Sequence, residues 1–233
     1  MILCLETATK TCSVALCDRT GIISVMESHE NKSHATQLTL FIEELLKNAN
    51  TRPADLEAVA VSKGPGSYTG LRIGVSVAKG IAYGVSLPLI GIDTTRSMFN
   101  GIINTAEEKY GTDNTSLFCP MIDAKRMEVY YSIFDAEGKV IKGIAAEIIN
   151  DKSFHEIPES VKMVFFGDGA GKCIDVTSHK NSVFDNDFMV SAAFMFKTVF
   201  EEFDAGHFEN VAYFEPFYLK DFIATVQRKN IIL

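Results

Sequence analysis

Two carboxylates, Glu6 and Asp123, each close a short apolar run, residues 1–5 and 119–122. Two glycine turns stand beside them in the chain's order: Lys63-Gly64-Pro65-Gly66-Ser67 and Gly167-Asp168-Gly169. Carboxylates near glycine-rich turns could serve phosphate chemistry. Free backbone N–H groups at a helix N-terminus cradle an anion, here with Lys63 and Arg72 close in sequence. The candidate cleft set is therefore Glu6, Lys63, Gly64, Gly66, Asp123, Gly167, Asp168 and Gly169. A competing reading is structural: the glycines let packed elements turn tightly, and the carboxylates accept backbone N–H groups. Known nucleotide patterns do not fit. A P-loop needs Lys-Ser/Thr after its closing glycine, and Gly70 is followed by Leu71. A dinucleotide fingerprint would need glycine at Thr69, and a G-x-S-x-G elbow fails because Gly66 directly precedes Ser67.

No metal site is expected. His29 and His34 are five residues apart, so no H-x-x-x-H or H-E-x-x-H exists, and His155, His179 and His207 are isolated. The five cysteines are scattered without a C-x-x-C pair, which reads as reduced thiols in a cytoplasmic protein. The first residues lack the basic region of a signal peptide, and no apolar run approaches a membrane span. The 233 residues are 47% hydrophobic, enough for a sizeable core, and the net charge of −8 opposes nucleic-acid binding by this chain alone.

The elements that would position these residues follow from periodicity. Strands are expected at 1–5, 13–17 and 22–27, an antiparallel meander. A helix capped near Ser33 carries Leu38, Phe41, Ile42 and Leu45 at helical spacing. A strand at 58–61 enters the first glycine turn. Ser67 or Thr69 then caps a second helix bearing Leu71, Val75, Ala78 and Ala82. A strand at 88–92 and a helix capped by Thr94 complete the first half. The second half repeats the order: strands at 119–123, 129–134, 140–147 and 163–166, then a glycine turn, with a helix over 191–204. Twelve residues separate Glu6 from Asp18, and twelve separate Asp123 from Asp135. Matched spacing and order argue for internal duplication. A β-β-β-α-β-α unit given twice is the α/β layout of the actin and Hsp70-type ATPase (ASKHA, ribonuclease H-like) fold, with two subdomains, 1–105 and 106–233. Glu6 and Asp123 would face one cleft between them.

Lys63-Gly64-Pro65-Gly66-Ser67-Tyr68-Thr69-Gly70-Leu71-Arg72-Ile73-Gly74, preceded by Ala58-Val59-Ala60-Val61, closely resembles the TsaB family of bacterial tRNA threonylcarbamoyladenosine biosynthesis proteins. Cys12-Ser13-Val14-Ala15-Leu16, Pro88-Leu89-Ile90-Gly91, Ile122-Asp123-Ala124-Lys125-Arg126-Met127-Glu128-Val129-Tyr130 and Tyr218-Leu219-Lys220 extend the resemblance over nearly the whole chain. It implies a non-catalytic, dimerising subunit. The partner would be the metal-carrying paralogue TsaD, which modifies the adenosine beside the anticodon, joined by the ATPase TsaE. The resemblance leaves a homodimer open for the isolated chain and implies tRNA contact only through the complex. No cofactor is expected, with ATP binding left to the complex. Glu6 departs from the aspartate usual at that position, which argues against inherited nucleotide chemistry. The alternative is a stand-alone ATP-binding phosphohydrolase, kinase or glycoprotease-like peptidase using the cleft.

The expected partner surface is the helix pair. Leu38, Phe41, Ile42 and Leu45 stripe the first helix. Leu71, Val75 and Ala78 stripe the second, beside a small-residue ridge of Gly70 and Gly74. Part of each stripe would face the chain's own core. Leu40, Leu46, Ile73, Val77 and Ile81 widen both stripes beyond one face, which implies a second contact, with another copy or with TsaD.

Overall fold

In a computed structural model, residues 1–30 and 33–219 are described. The first half contains β1 (Ile2–Glu6), β2 (Cys12–Asp18), β3 (Gly21–Ser28), α1 (His34–Asn48), β4 (Ala58–Gly64), α2 (Tyr68–Gly84), β5 (Leu89–Asp93) and α3 (Thr94–Ile103). A short α4 (Ala106–Tyr110) leads into β6 (Leu117–Asp123), β7 (Glu128–Asp135), β8 (Val140–Ile148), β9 (Met163–Phe166), β10 (Ser182–Asp185) and α5 (Phe196–Asp204).

The two sheets have the same order. The first runs β3-β2-β1-β4-β5 and the second β8-β7-β6-β9-β10. In each, the first two strand pairings are antiparallel and the last two parallel. The strands thus duplicate as the spacing predicts, giving a mixed α/β fold of two like-built sheets. The helices do not duplicate. Where the first half has α1, residues 151–160 of the second form turns, with Phe154 at φ +69° and Pro158 unable to donate to a helix ladder. Ile149, Phe154 and Ile157 are buried there and fill the space that a helix would occupy. After β9 the chain makes only a 3-10 turn, Gly171–Cys173, in place of α2.

α1 and α2 cover one face of the first sheet. Leu38, Ile42, Leu45, Val75 and Ala78 pack there on Leu3, Leu5, Val14, Val59 and Val61. The opposite face is covered from the far end of the chain, by Ala192, Met195 and Val199 of the α5 region on Ile2, Cys4, Ala60 and Ile90. α3 crosses the other way: Met98, Phe99 and Ile102 pack with Phe118, Phe134, Val164 and Phe166 of the second sheet. This exchange ties the halves together. Asp93, not Thr94, is the N-cap residue of α3, and Thr94 is its first helical residue. Among the described residues no helix is long and apolar enough to cross a membrane.

Beyond α5 the chain runs back as a strap. Glu209 bridges to Leu89 at the edge of β5. Lys79 of α2 donates to the carbonyls of Ala212 (3.2 Å) and Phe214 (2.9 Å). Phe214 enters the first core, and the Phe217 N–H donates to the Lys63 carbonyl (2.6 Å). The Tyr218 ring packs on Tyr68 at 4.9 Å, tilted by 36°, and its hydroxyl accepts from Arg72 (3.2 Å).

Candidate functional site

The first glycine turn is shaped by the residues after β1. Ser67 caps α2 by accepting from the Gly70 N–H (3.3 Å), and its own N–H donates to the Ala8 carbonyl (2.7 Å). A Cβ on Gly66 would lie 2.4 Å from that carbonyl, and one on Gly70 would lie 2.1 Å from the Thr7 carbonyl. On Gly74 it would meet Thr7 Oγ1 at 2.2 Å. Thr7 Oγ1 donates to the Gly70 carbonyl (2.8 Å), which fixes the helix against the β1–β2 turn. The second half uses the same device: Gly167, at φ +105°, and Gly169 lie against the backbone of Met121 and Ile122. Close packing therefore accounts for the glycines in both turns.

A cleft of about 680 Å³ separates the halves. Ala8, Thr9, Lys10, Gly66 and Ser67 line one wall, and Asp123, Lys125, Tyr130 and Asp168 line the other. Of the expected cleft residues, the structure brings together Gly66, Asp123 and Asp168. Asp168 Oδ1 accepts the Asp123 N–H at 3.0 Å. Glu6 is absent from the walls. It is fully buried, accepts from the Ala8 N–H (2.7 Å) and from the Ser62 hydroxyl, and its carboxyl is pushed up by burial against the lowering effect of those bonds. Gly64, at φ +119°, is buried under the Phe217 carbonyl, 2.7 Å from where its Cβ would be. Lys63 points elsewhere, to Asp93 at 3.4 Å, on a separate cavity of about 730 Å³ between α3, α5 and the β7–β8 turn.

Asp123 is also committed. Lys172, on the turn after the second glycine loop, pairs with it and donates to the Glu128 carbonyl (2.6 Å). The Lys125 N–H is a second donor to the carboxylate, at 2.9 Å. Burial raises the Asp123 carboxyl, but Lys172 and the Lys125 N–H outweigh it and hold the group below the usual carboxylate range. Lys172 is the residue that the sequence reading missed; its place three residues beyond Gly169 gave no signal of its reach to β6. Among the described residues no group of three or more His, Cys, Asp or Glu side chains could hold a metal ion.

The expected partner surface needs correction. Leu38, Ile42, Leu45, Leu71, Val75 and Ala78 are buried within the first half, and Gly70 and Gly74 are covered by Thr7. Phe41 alone of that set is partly exposed. The reason is that the strongest stripe on each helix faces its own sheet. Of the flanking residues, Leu46 is buried in the same core, Leu40 is 56% exposed, and Ile73, Val77 and Ile81 are partly buried, as is Phe41 of the first stripe.

This architecture is that of a TsaD-type domain: the model of the TsaD family, described as tRNA N6-adenosine threonylcarbamoyltransferase, matches residues 25–213. The protein from Escherichia coli called tRNA threonylcarbamoyladenosine biosynthesis protein TsaB is 30% identical over 229 residues, 96% of each chain. The Haemophilus influenzae protein of the same name is 34% identical over 131 residues, 56% of this chain and 52% of that one. Among solved structures, YeaZ from Pseudomonas aeruginosa superposes with a TM-score of 0.79 at 21% identity, over 94% of this chain and 99% of that one. The chain belongs to the TsaB family.

Proposed function

We propose that this protein is a non-catalytic subunit of the machinery that forms threonylcarbamoyladenosine in tRNA. It supports a TsaD-type paralogue, which performs the transfer, with TsaE as the third component, in the cytoplasm. The carrying observation is the state of the two strand-end carboxylates. A general base or metal ligand must present a free carboxylate to the cleft. Here Glu6 is buried and turned onto Ser62 and Ala8, and Asp123 is neutralised by Lys172. Family membership supports the same reading, because the Escherichia coli relative that matches over 96% of the chain is named for this biosynthesis.

Docking is through the outer face of α1 and α2, where Leu40, Phe41, Ile73 and Val77 remain for a partner. In the free protein the same face pairs two copies about a twofold axis. tRNA is reached through the complex, since the net charge of −8 disfavours phosphate binding by this chain. The test is co-purification with the TsaD paralogue of the same organism. Leu40→Glu with Val77→Glu is expected to abolish capture while the melting temperature is kept. Unchanged capture by that folded variant would overturn the docking face.

A further inference from the structure

The β6–β7 turn belongs to the motif Ile122-Asp123-Ala124-Lys125-Arg126-Met127-Glu128-Val129-Tyr130, which the docking role leaves unused. Asp123 pairs with Val129 across the hairpin, so residues 124–128 form its tip. Two consecutive residues there, Lys125 at φ +70° and Arg126 at φ +51°, take the left-handed conformation. A Cβ crowds the backbone in that region, and glycine or asparagine adopts it at less cost. Strain of this kind persists at sites that use it. Here it holds two cations side by side at the mouth of the cleft. The Lys125 side chain is 86% exposed and 3.9 Å from Asp123, and Arg126 is exposed beside it. Lys10 is exposed on the opposite wall. Burial raises the Asp168 carboxyl, and the charges of Lys10 and Lys125 both pull against it, so the two lysines approach Asp168 from the two walls. With Lys172, four cations stand here against the three carboxylates Asp123, Glu128 and Asp168, a local positive excess on a chain of net charge −8. Tyr130 and the hydroxyl residues Thr9, Ser67 and Thr69 line the same cleft. Ammonium, guanidinium and hydroxyl groups are those that hold a phosphodiester backbone, and a tyrosine ring offers a base a stacking face.

We propose that Lys125 and Arg126, with Lys10 across the cleft, are the place where this chain touches the tRNA backbone. This rests on the proposed role as a subunit of the tRNA-modifying machinery and names the surface through which the chain helps to hold the substrate. The net charge keeps the contact weak in the free chain, and it adds to the affinity once the complex holds the tRNA. The contact is with phosphate, so it orients the RNA and reads no sequence. The strained turn sacrifices stability to keep both cations in place.

The test uses the full chain without TsaD, so it stands apart from success or failure of the partner-capture experiment. Unmodified tRNA transcribed with 4-thiouridine is mixed with the chain and irradiated, and the adducts are mapped by peptide mass. Adducts are expected on the segment from Lys125 to Tyr130, with a yield that falls severalfold between about 20 and about 200 mM KCl. Lys125→Gln with Arg126→Gln should cut that yield severalfold and leave the melting temperature unchanged. Lys125→Asn with Arg126→Gly should cut it equally and raise the melting temperature by a few degrees, because the strain is relieved. Adducts that are absent or confined to other surfaces would overturn the proposal, as would a yield that ignores both double substitutions. Loss of the adduct on adding AMP at equal phosphate concentration would make the ligand a mononucleotide and overturn the assignment to an RNA strand. A melting temperature that Lys125→Asn with Arg126→Gly leaves unchanged would overturn the claim that the turn is strained to hold its cations.

Discussion

Two glycines on α2 should respond to alanine with opposite signs. A Cβ on Gly70 would lie 2.1 Å from the Thr7 carbonyl and 3.3 Å from Ser67 Cβ, so the helix must lift off the β1–β2 turn. Overpacking of this kind costs about 1–3 kcal/mol. Lifting also lengthens the 2.8 Å bond from Thr7 Oγ1 to the Gly70 carbonyl, worth about 1 kcal/mol. The gain in helix propensity returns at most about 1 kcal/mol. Gly70→Ala should therefore destabilise by about 1–3 kcal/mol. Gly80 lies on the same helix, exposed, and a Cβ added there would meet nothing within 4 Å. There only propensity acts, and Gly80→Ala should stabilise by about 1 kcal/mol. At about 2–4 °C per kcal/mol for a chain this size, thermal scans separate the two variants clearly. Urea unfolding gives the free energies. A Gly70→Ala protein as stable as Gly80→Ala would refute the claim that these glycines exist to admit the Thr7–Ala8 backbone.

Three further outcomes are expected. Burial raises the Glu6 carboxyl in the folded state, so its contribution is present below the unfolded value near pH ~4.3 and fades as pH rises through the folded one. The stability of wild type relative to Glu6→Gln should fall as pH rises from the unfolded value through the folded one, read in urea melts, and a flat difference would contradict the burial argument. Lys172→Met should raise the Asp123 carboxyl, read by NMR titration of its side-chain carbon; an unmoved titration would mean that Lys172 does not neutralise it. Phe214→Ala removes the strap's core anchor at a cost of about 3–5 kcal/mol. It should speed amide exchange at Phe217, whose N–H donates to Lys63, and unaltered exchange would show that the strap is held elsewhere.

Much of the fold could be read from residue order. The alternation and length of 2–6, 12–18 and 21–28, and their echo after Leu117, come from local apolar patterning that strands require. The missing helices of the second half were not legible. Residues 151–160 carry no rule that forbids a helix until Pro158, and their burial on Tyr131 and Phe165 is a tertiary outcome. The site was legible in kind but not in direction. A strand-end carboxylate can point into the cleft or into the chain; only the position of Ser62 on the neighbouring strand turns Glu6 inward. The helix stripes show the same limit. Periodicity finds an apolar face, but the residues left toward the outside are flanking Leu40 and, from the stripe itself, Phe41, because the rest of the stripe is buried on the first sheet.

The central claim is most directly tested by a tRNA modification assay with purified components. The chain alone, given ATP, threonylcarbamoyl adenylate and unmodified tRNA, should yield no threonylcarbamoyladenosine and no ATP turnover. Adding the TsaD paralogue and TsaE should restore modification, and Leu40→Glu with Val77→Glu should remove it again. Modification or ATP hydrolysis by the chain alone, lost in Asp123→Ala, would contradict the account and make the cleft an active site.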